Sequence, residues 1–160
     1  RMYFNNYTPK DLSVWNRDDS SVSIGVLAES KDPTRSDKVE IRDLATGQIV
    51  KHLWVSKAYD LLQMELVADL NGNGSQEVAV LAVRRGCCNQ KVWVKDTLTG
   101  ESIKKVYFGK QFIGEDMDIV PDINGNGTPE LVVLGRRDDG ALAAIIKDSK
   151  TAEFISWVGF

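Results

Sequence analysis

The chain has 160 residues, of which 42% are hydrophobic and 27% are charged, and its formal net charge is −3. This length is enough to bury the core of one domain, and the composition is that of an ordinary globular protein. The small acidic charge gives no basic field for nucleic acid, and no apolar run approaches the roughly 20 residues of a membrane span, so we expect neither a nucleic acid partner nor membrane insertion.

Three sets of short segments follow one another along the chain. Apolar and polar residues alternate in them, and β-branched and aromatic residues are frequent, which predicts strands. The first set comprises residues 12–18, 22–27 and 38–43. The second comprises residues 63–68, 78–83, 91–96 and 102–108, and the third residues 116–121, 131–134, 143–148 and 154–157. No segment keeps a 3.6-residue period over three turns, so we expect no helix.

The spacing of two motifs shows that these sets are repeats. The Thr-Gly turns at Thr46 and Thr99 lie 53 residues apart (99 − 46), as do the acidic residues Asp69 and Asp122 (122 − 69). We therefore divide a single domain, residues 1–160, into repeats 9–61, 62–114 and 115–160, with residues 1–8 as the end of a preceding unit. Four antiparallel strands repeated about every 50 residues predict an all-β fold of β-propeller blades. A solenoid of stacked hairpins is the structural alternative.

Three blades are too few for a closed ring, since propellers have about 4–8 blades. The ring is then incomplete, or other segments or other chains complete it, the last case being a homo-oligomer. The chain opens with Arg1 and shows no signal peptide, so we expect a mature chain or a piece of a longer protein.

Two nearly identical loops join a lead-in segment to an apolar segment in the second and third repeats. Residues 69–77 and 122–130 both read D-x-N-G-N-G-x-x-E, which places side-chain oxygens at alternate positions. All-oxygen ligation suits a hard cation such as Ca²⁺, and two carboxylates per loop balance one divalent ion. The first repeat has Asn16-Arg17-Asp18-Asp19 instead, without the Asn-Gly pair and the Glu. The alternative is that both loops are metal-free Asn-Gly hairpin turns.

The stretch from Tyr107-Phe108-Gly109 through the second loop to Gly135 resembles an FG-GAP repeat. FG-GAP repeats are the calcium-binding blades of integrin α-subunit propellers, and the related VCBS repeats occur in bacterial surface and secreted proteins. The family loop is D-x-[DN]-x-[DN]-G-x-x-[DE]; positions 1, 3, 5 and 9 bind through side chains, and position 7 through its backbone carbonyl. The resemblance covers the second and third repeats well and the first only through its strands.

The resemblance implies calcium as the cofactor and one set of ligands in each loop. The first set is Asp69, Asn71, Asn73, Ser75 through its carbonyl, and Glu77. The second set is Asp122, Asn124, Asn126, Thr128 through its carbonyl, and Glu130. Both loops have Asn at position 5, where Asp would add charge, so we expect dissociation constants on the order of 10⁻⁴–10⁻³ M, the range of extracellular modules.

The same resemblance implies a secreted protein, extracellular or at the cell surface, that is a non-catalytic module for adhesion and binds a protein or glycan ligand. The residues support the absence of an enzyme activity, because His52 is the single histidine and no Ser/His/Asp or Cys/His set is available. Two alternatives stay open. The chain could be the propeller segment of a secreted polysaccharide-degrading enzyme, or a purely structural array of blades.

Three other groups of residues have both a functional and a structural interpretation. Cys87 and Cys88 are adjacent and could form a vicinal disulfide or bond to a partner chain in an oxidising compartment, or remain two thiols. The acidic residues of the lead-in strands could form a channel wall or a solvated face: Glu65, Asp116 and Asp118. The four tryptophans could be sugar platforms or pack between blades: Trp15, Trp54, Trp93 and Trp157.

Overall fold

The computed structural model describes residues 6–17, 20–86 and 89–160. These residues form twelve β-strands, which confirms the all-β prediction, and they include no helix that could span a membrane. The candidate disulfide Cys87–Cys88 and the pair Asp18–Asp19 lie outside the described residues.

The strands form three four-stranded sheets, each antiparallel and each made of four consecutive strands. The first sheet contains β1 (Tyr7–Asn16), β2 (Val22–Ser30), β3 (Asp37–Asp43) and β4 (Ile49–Val55). The second contains β5 (Tyr59–Val67), β6 (Glu77–Arg84), β7 (Gln90–Asp96) and β8 (Ser102–Tyr107). The third contains β9 (Phe112–Val120), β10 (Glu130–Arg137), β11 (Leu142–Asp148) and β12 (Phe154–Gly159). We call these sheets blades 1, 2 and 3.

The blades pack face to face, with blade 2 between the other two. On β6, Val78 and Val80 face blade 1 and join a core with Leu27 and Val39. The alternate residues Ala79 and Leu81 face blade 3 and join a core with Leu131 and Val133. Because both faces of blade 2 are covered, β6 is continuously apolar from Val78 to Val83, as expected for a strand buried on two sides.

The first strands of the blades, β1, β5 and β9, lie next to one another, so the blades are arranged around a common side. Each of these strands carries a β-bulge, and in β1 and β5 the side chain after the bulge contacts the next blade. Asp11 Oδ2 accepts a hydrogen bond from the Met64 backbone N–H at 2.8 Å, and Gln63 Oε1 accepts one from the Met117 N–H at 2.7 Å. The same inter-blade link therefore occurs twice, and it fixes the same relation between successive blades.

The bulges also explain why the repeat boundaries predicted from the sequence differ from the starts of the blades. The first strands start at Tyr7, Tyr59 and Phe112, so the repeat boundaries placed at 61/62 and 114/115 fall within β5 and β9. The extra residues of these two bulges are Leu62 and Glu115. An extra residue shifts the alternation of inward and outward side chains, so the start of each strand does not continue the pattern of its later part.

Candidate functional site

Both predicted ligand loops connect the first strand of a blade to the second, and in each loop the leading aspartate organises the backbone. Asp69 accepts hydrogen bonds from the N–H groups of Gly72 and Gly74, both at 2.7 Å. Asp122 is bonded in the same way to the two glycines of the second loop. Gly72 and Gly74 have φ of 78° and 83°, values that favour glycine. The N–H of Gly74 is the main cause that lowers the pKa of Asp69.

The asparagine side chains form the next part of each loop. Asn71 Oδ1 accepts the N–H of Asn73 at 3.0 Å, and Asn73 Oδ1 accepts the N–H of Ser75 at 2.9 Å. Asn124 and Asn126 make the corresponding bonds at 3.0 and 2.9 Å. An amide oxygen has two lone pairs, so Oδ1 of Asn71, Asn73 and Asn124 each keeps one for a further ligand. Oδ1 of Asn126 also lies 2.6 Å from the Thr128 hydroxyl, which has a second acceptor in Asp148.

The glutamates that close the loops are the first residues of β6 and β10, and both are fully buried. Oε2 of Glu77 accepts the N–H of Leu70 at 3.0 Å, and Oε2 of Glu130 accepts the N–H of Ile123 at 3.1 Å. The second oxygen, Oε1, has no hydrogen-bond partner in either residue. A buried carboxylate oxygen without a partner is costly, and burial, with Asp69 and Asp96 nearby, raises the pKa of Glu77 to about 7.

Two further aspartates, which the sequence analysis did not assign to the site, hold the asparagine amides. Asp96 ends β7, and its Oδ2 accepts from Nδ2 of Asn71 at 2.6 Å and from Nδ2 of Asn73. Asp148 ends β11, and its Oδ2 accepts from Nδ2 of Asn126 and from Oγ1 of Thr128. Each aspartate thus connects its loop to the third strand of the blade.

The electrostatics of Asp148 follow from these contacts. Burial by itself would raise the pKa of Asp148, but hydrogen bonds from the Thr151 backbone and from Asn126 and Thr128 together lower it. The other oxygen, Oδ1, accepts the N–H groups of Lys150 and Thr151 and so caps the turn to β12. The signal that could have found these aspartates is strand pairing, because Glu77 lies directly opposite Asp96 and Glu130 opposite Asp148.

The ten predicted ligands therefore lie in two separate loops, one in blade 2 and one in blade 3. In blade 1, Ser23 is paired with Asp43 and occupies the position of Glu77 and Glu130, so this blade keeps the strand-end aspartate without the glutamate. Across residues 6–17, 20–86 and 89–160, no three acidic, histidine or cysteine side chains form a metal-binding group by themselves. The predicted ligand sets are not groups of this kind, because each contains only two carboxylates and is completed by amide and carbonyl oxygens. Calcium binding therefore stays a prediction.

The remaining candidates have different locations. Trp15 and Trp93 are buried between blades 1 and 2, whereas Trp54 and Trp157 are about half exposed. The packing interpretation therefore applies to the first two tryptophans. Glu65 lies on β5, and burial raises its pKa, with further contributions from Asp118 and other acidic residues on β1 and β9. These carboxylates therefore lie near one another, on the side where the first strands meet.

Comparisons with known proteins support the fold and leave the family open. No protein-family model matches the chain, and no curated protein sequence matches it. Among solved structures, the chain is similar to the Dos1 propeller, with a TM-score of 0.54 and 12% sequence identity. The match covers 92% of this chain and 36% of the Dos1 chain. This likeness confirms the β-propeller fold, and the three blades correspond to about a third of that larger chain.

Proposed function

We propose that this chain is a calcium-binding β-propeller module in which one Ca²⁺ ion binds in each of the two loops. The observation that carries the proposal is the pair of buried, unpartnered carboxylate oxygens, Oε1 of Glu77 and Oε1 of Glu130. A divalent cation would compensate the cost of burying these oxygens. It would also offset the repulsion between Glu77 and the neighbouring Asp69 and Asp96.

The donor set of each loop fits calcium. Each loop offers two carboxylates, two asparagine oxygens, and the carbonyl of Ser75 or Thr128, all of them hard oxygen donors. Oδ1 of Asn126 has a lone pair for the ion when the Thr128 hydroxyl donates to Asp148 instead. When bound, calcium supplies a central positive charge to which these groups are attracted. Asp96 and Asp148 hold the amide nitrogens of the asparagines, which leaves the amide oxygens for the loop.

The expected effect of calcium is to stabilise each blade at one end. In blade 2 the loop follows β5, Glu77 begins β6, and Asp96 ends β7, so an ion in the loop would connect three of the four strands. Dissociation constants of about 10⁻⁴–10⁻³ M would make this stabilisation depend on the millimolar calcium found outside cells. For this reason we place the protein in an extracellular or cell-surface setting.

Calorimetric titration of calcium into the chelator-treated protein tests the proposal, with an expected stoichiometry of two. Asp122→Ala removes the residue that organises the second loop and should reduce the stoichiometry to one. Asp32→Ala is the matched control, because Asp32 likewise accepts a backbone N–H, that of Thr34, within its own turn and away from both loops. A stoichiometry of two in Asp122→Ala, or no binding by the unmodified protein, would contradict the proposal.

We assign the module to adhesion, through binding of a protein or glycan ligand, without catalysis. Exposed aromatic side chains support this role, since Trp54, Phe154 and Trp157 are all more than half exposed and could stack on sugar rings. A glycan array probed with and without calcium tests it, and a parallel time course of the bound polysaccharide detects any cleavage. Product formation would favour the enzyme-associated alternative instead.

A further sheet fits the free face of blade 3. In blade 2 the residues that face the next blade are fully buried: Ala79, Leu81, Val92 and Val94. Their counterparts in blade 3 are apolar but mostly only half-buried: Val132, Leu134, Ala144 and Ile146. Asp116 occupies the position of Asp11 and Gln63, which link each blade to the next. Sedimentation velocity distinguishes a second copy of the chain, which would form an oligomer, from another segment of the same polypeptide.

A further inference from the structure

A cavity of about 640 Å³ is bounded by blade 3 and by the connection that joins it to blade 2. Its apolar wall comes from this connection and from β9, β11 and β12: Phe108, Phe112, Ala143, Ile145, Phe154 and Trp157. This volume is within the range of about 300–1,000 Å³ that is typical of small-molecule sites. The cavity shares no lining residue with the two calcium loops, so a ligand could bind there whether or not the loops hold calcium.

The corresponding region between blades 1 and 2 is filled by protein side chains. Trp93 packs edge-to-face against Tyr59, with their ring centroids 4.7 Å apart. The ammonium group of Lys91 lies 4.1 Å from the centroids of both rings. These three side chains complete the interface from within the chain.

Strand pairing identifies the residues that replace them in the next interface. Phe112 pairs with Arg137 as Tyr59 pairs with Arg84, so Phe112 takes the place of Tyr59. By the same comparison Ile145 takes the place of Trp93, and Ala143 that of Lys91. The indole and the lysine chain are thus replaced by a smaller aliphatic group and a methyl group. The cavity lies beside these two smaller residues. On the neighbouring strand Trp157, which pairs with Ile145 as Lys105 pairs with Trp93, adds an aromatic wall.

The charged residues at the cavity are all cationic. Lys110 and Arg137 line it, and none of the other lining residues is acidic. Arg137 lies 5.8 Å from the ring centroid of Trp157 and forms an ion pair with Asp139 at 3.1 Å. Both partners of this pair are about half exposed, so the pair is weak and the guanidinium can bind another anion. A third cation, Lys147, lies 5.9 Å from the ring centroid of Phe108, which is one of the lining residues.

From the aromatic walls, the cationic edge and the missing side chains, we propose that this cavity binds a small planar aromatic compound that carries one carboxylate or sulfonate group. The aromatic part takes the space that Trp93 fills in the other interface, between Phe112, Ile145 and Trp157. The anionic group lies at the edge, where it meets Arg137 and Lys110.

The test uses a matched pair of fluorescent probes. 8-Anilinonaphthalene-1-sulfonate has the aromatic body and an anionic group, and N-phenyl-1-naphthylamine has the same body without the charge. We expect saturable binding of the sulfonate at one site per chain, and binding of the neutral probe that is weaker by about tenfold. Equal affinities for the two probes would overturn the proposed role of the cations, and binding of neither probe would overturn the site.

Two variants locate the binding. Ile145→Trp places at this position the residue that fills the other interface, and it should abolish binding of the sulfonate. Ser156→Trp is the matched control, because Ser156 pairs with Ile146 and lies on the opposite face of blade 3. Retained binding in Ile145→Trp, or lost binding in Ser156→Trp, would place the probe on that opposite face and overturn the proposal.

Arg137→Gln is a surface change that tests the site even if Ile145→Trp fails to fold. It should weaken binding of the sulfonate by several fold and leave the affinity for the neutral probe unchanged. An unchanged affinity for the sulfonate would contradict the proposal.

Discussion

The substitution Glu77→Gln should change the stability of the protein in opposite directions with and without calcium. Glutamine keeps an oxygen that can accept the N–H of Leu70, but it replaces the unpartnered Oε1 by an amide that carries no charge. Without calcium this removes a buried charge close to Asp69 and Asp96. With calcium it removes a ligand, so the variant should gain less from the ion than the unmodified protein.

The magnitude without calcium follows from the pKa of Glu77, which is raised from 4.5 to about 7. The folded protein then binds this proton more tightly than the unfolded chain, so the free energy of unfolding falls as the pH rises from about 4.5 to about 7. Above that window the ionised side chain costs about 3 kcal/mol at most. In chelator at pH 8 we therefore expect the variant to be more stable by up to this amount, and at pH 4 we expect no difference.

The magnitude with calcium follows from ligand linkage. At 10 mM Ca²⁺ and a dissociation constant of about 10⁻⁴–10⁻³ M, one site stabilises the folded protein by roughly 1.4–2.7 kcal/mol. For a chain of this length that corresponds to a rise in melting temperature of about 3–10 °C. Thermal unfolding followed by circular dichroism should show the summed rise of two sites in the unmodified protein. In Glu77→Gln it should show the rise of one site only.

Glu101→Gln is the control, because Glu101 is exposed and lies in the turn before β8, so both its stability and its calcium response should match those of the unmodified protein. The prediction is contradicted if Glu77→Gln is less stable than the unmodified protein in chelator at pH 8 and keeps the full response to calcium. That result would mean that Oε1 of Glu77 carries no buried charge of consequence and binds no ion.

Three further substitutions test other parts of the structure by chemical denaturation and calcium titration. Asp148→Asn should cost about 1–3 kcal/mol and weaken calcium binding, because it removes the charged acceptor of Asn126 and Thr128, whereas Asp43→Asn in blade 1 should leave calcium binding unchanged. Since the pKa of Asp148 is lowered, its contribution is present above its ordinary value of 3.8 and is lost as the pH falls, so the difference between Asp148→Asn and the unmodified protein should shrink in acid. Gly127→Ala should lower the free energy of unfolding by about 1 kcal/mol, because alanine is strained at a φ of 84°, and it should also weaken calcium binding. Gly86→Ala, at a φ of 73° in another turn, should lower stability without changing calcium binding. Gln63→Leu should cost about 1 kcal/mol, because the N–H of Met117 loses its acceptor at 2.7 Å and keeps only Asp116 Oδ1 at 3.0 Å. Gln48→Leu on the exposed surface should be nearly neutral.

The fold could be predicted from the sequence because the repeat is visible at two levels. The 53-residue spacing of Asp69 and Asp122 marks the unit, and the alternation of side chains marks the strands within it. Turn residues mark the connections, since the positive φ of residues such as Gly47 and Gly100 favours glycine, although Ala152 adopts a φ of 68° in the equivalent turn of blade 3. The strand and turn signals are local, and a meander of four antiparallel strands needs only local signals to be assembled.

The strand-end aspartates could not be assigned to the site, because their contact with the loops depends on register. Asp96 had an evident local role in its turn, where it accepts the N–H groups of Leu98 and Thr99. Its second role depends on the pairing of Glu77 with Asp96, which brings the aspartate to the two asparagines of a loop more than 20 residues earlier. A residue that satisfies a local rule gives no sign in the sequence of a second, distant contact.

The cavity between blades 2 and 3 shows the same limit for packing. Ala143 and Ile145 are ordinary residues for a half-buried strand, and nothing in their own segment distinguishes them from a filled interface. Only strand register shows that they are smaller than the residues at the equivalent positions of the other interface, Lys91 and Trp93. In a repeat protein the neighbouring repeat therefore serves as an internal reference. A position where a large side chain is replaced by a small one between otherwise similar blades indicates either a local loss of packing or a site for a ligand, and the aromatic walls and cations around this cavity favour the ligand.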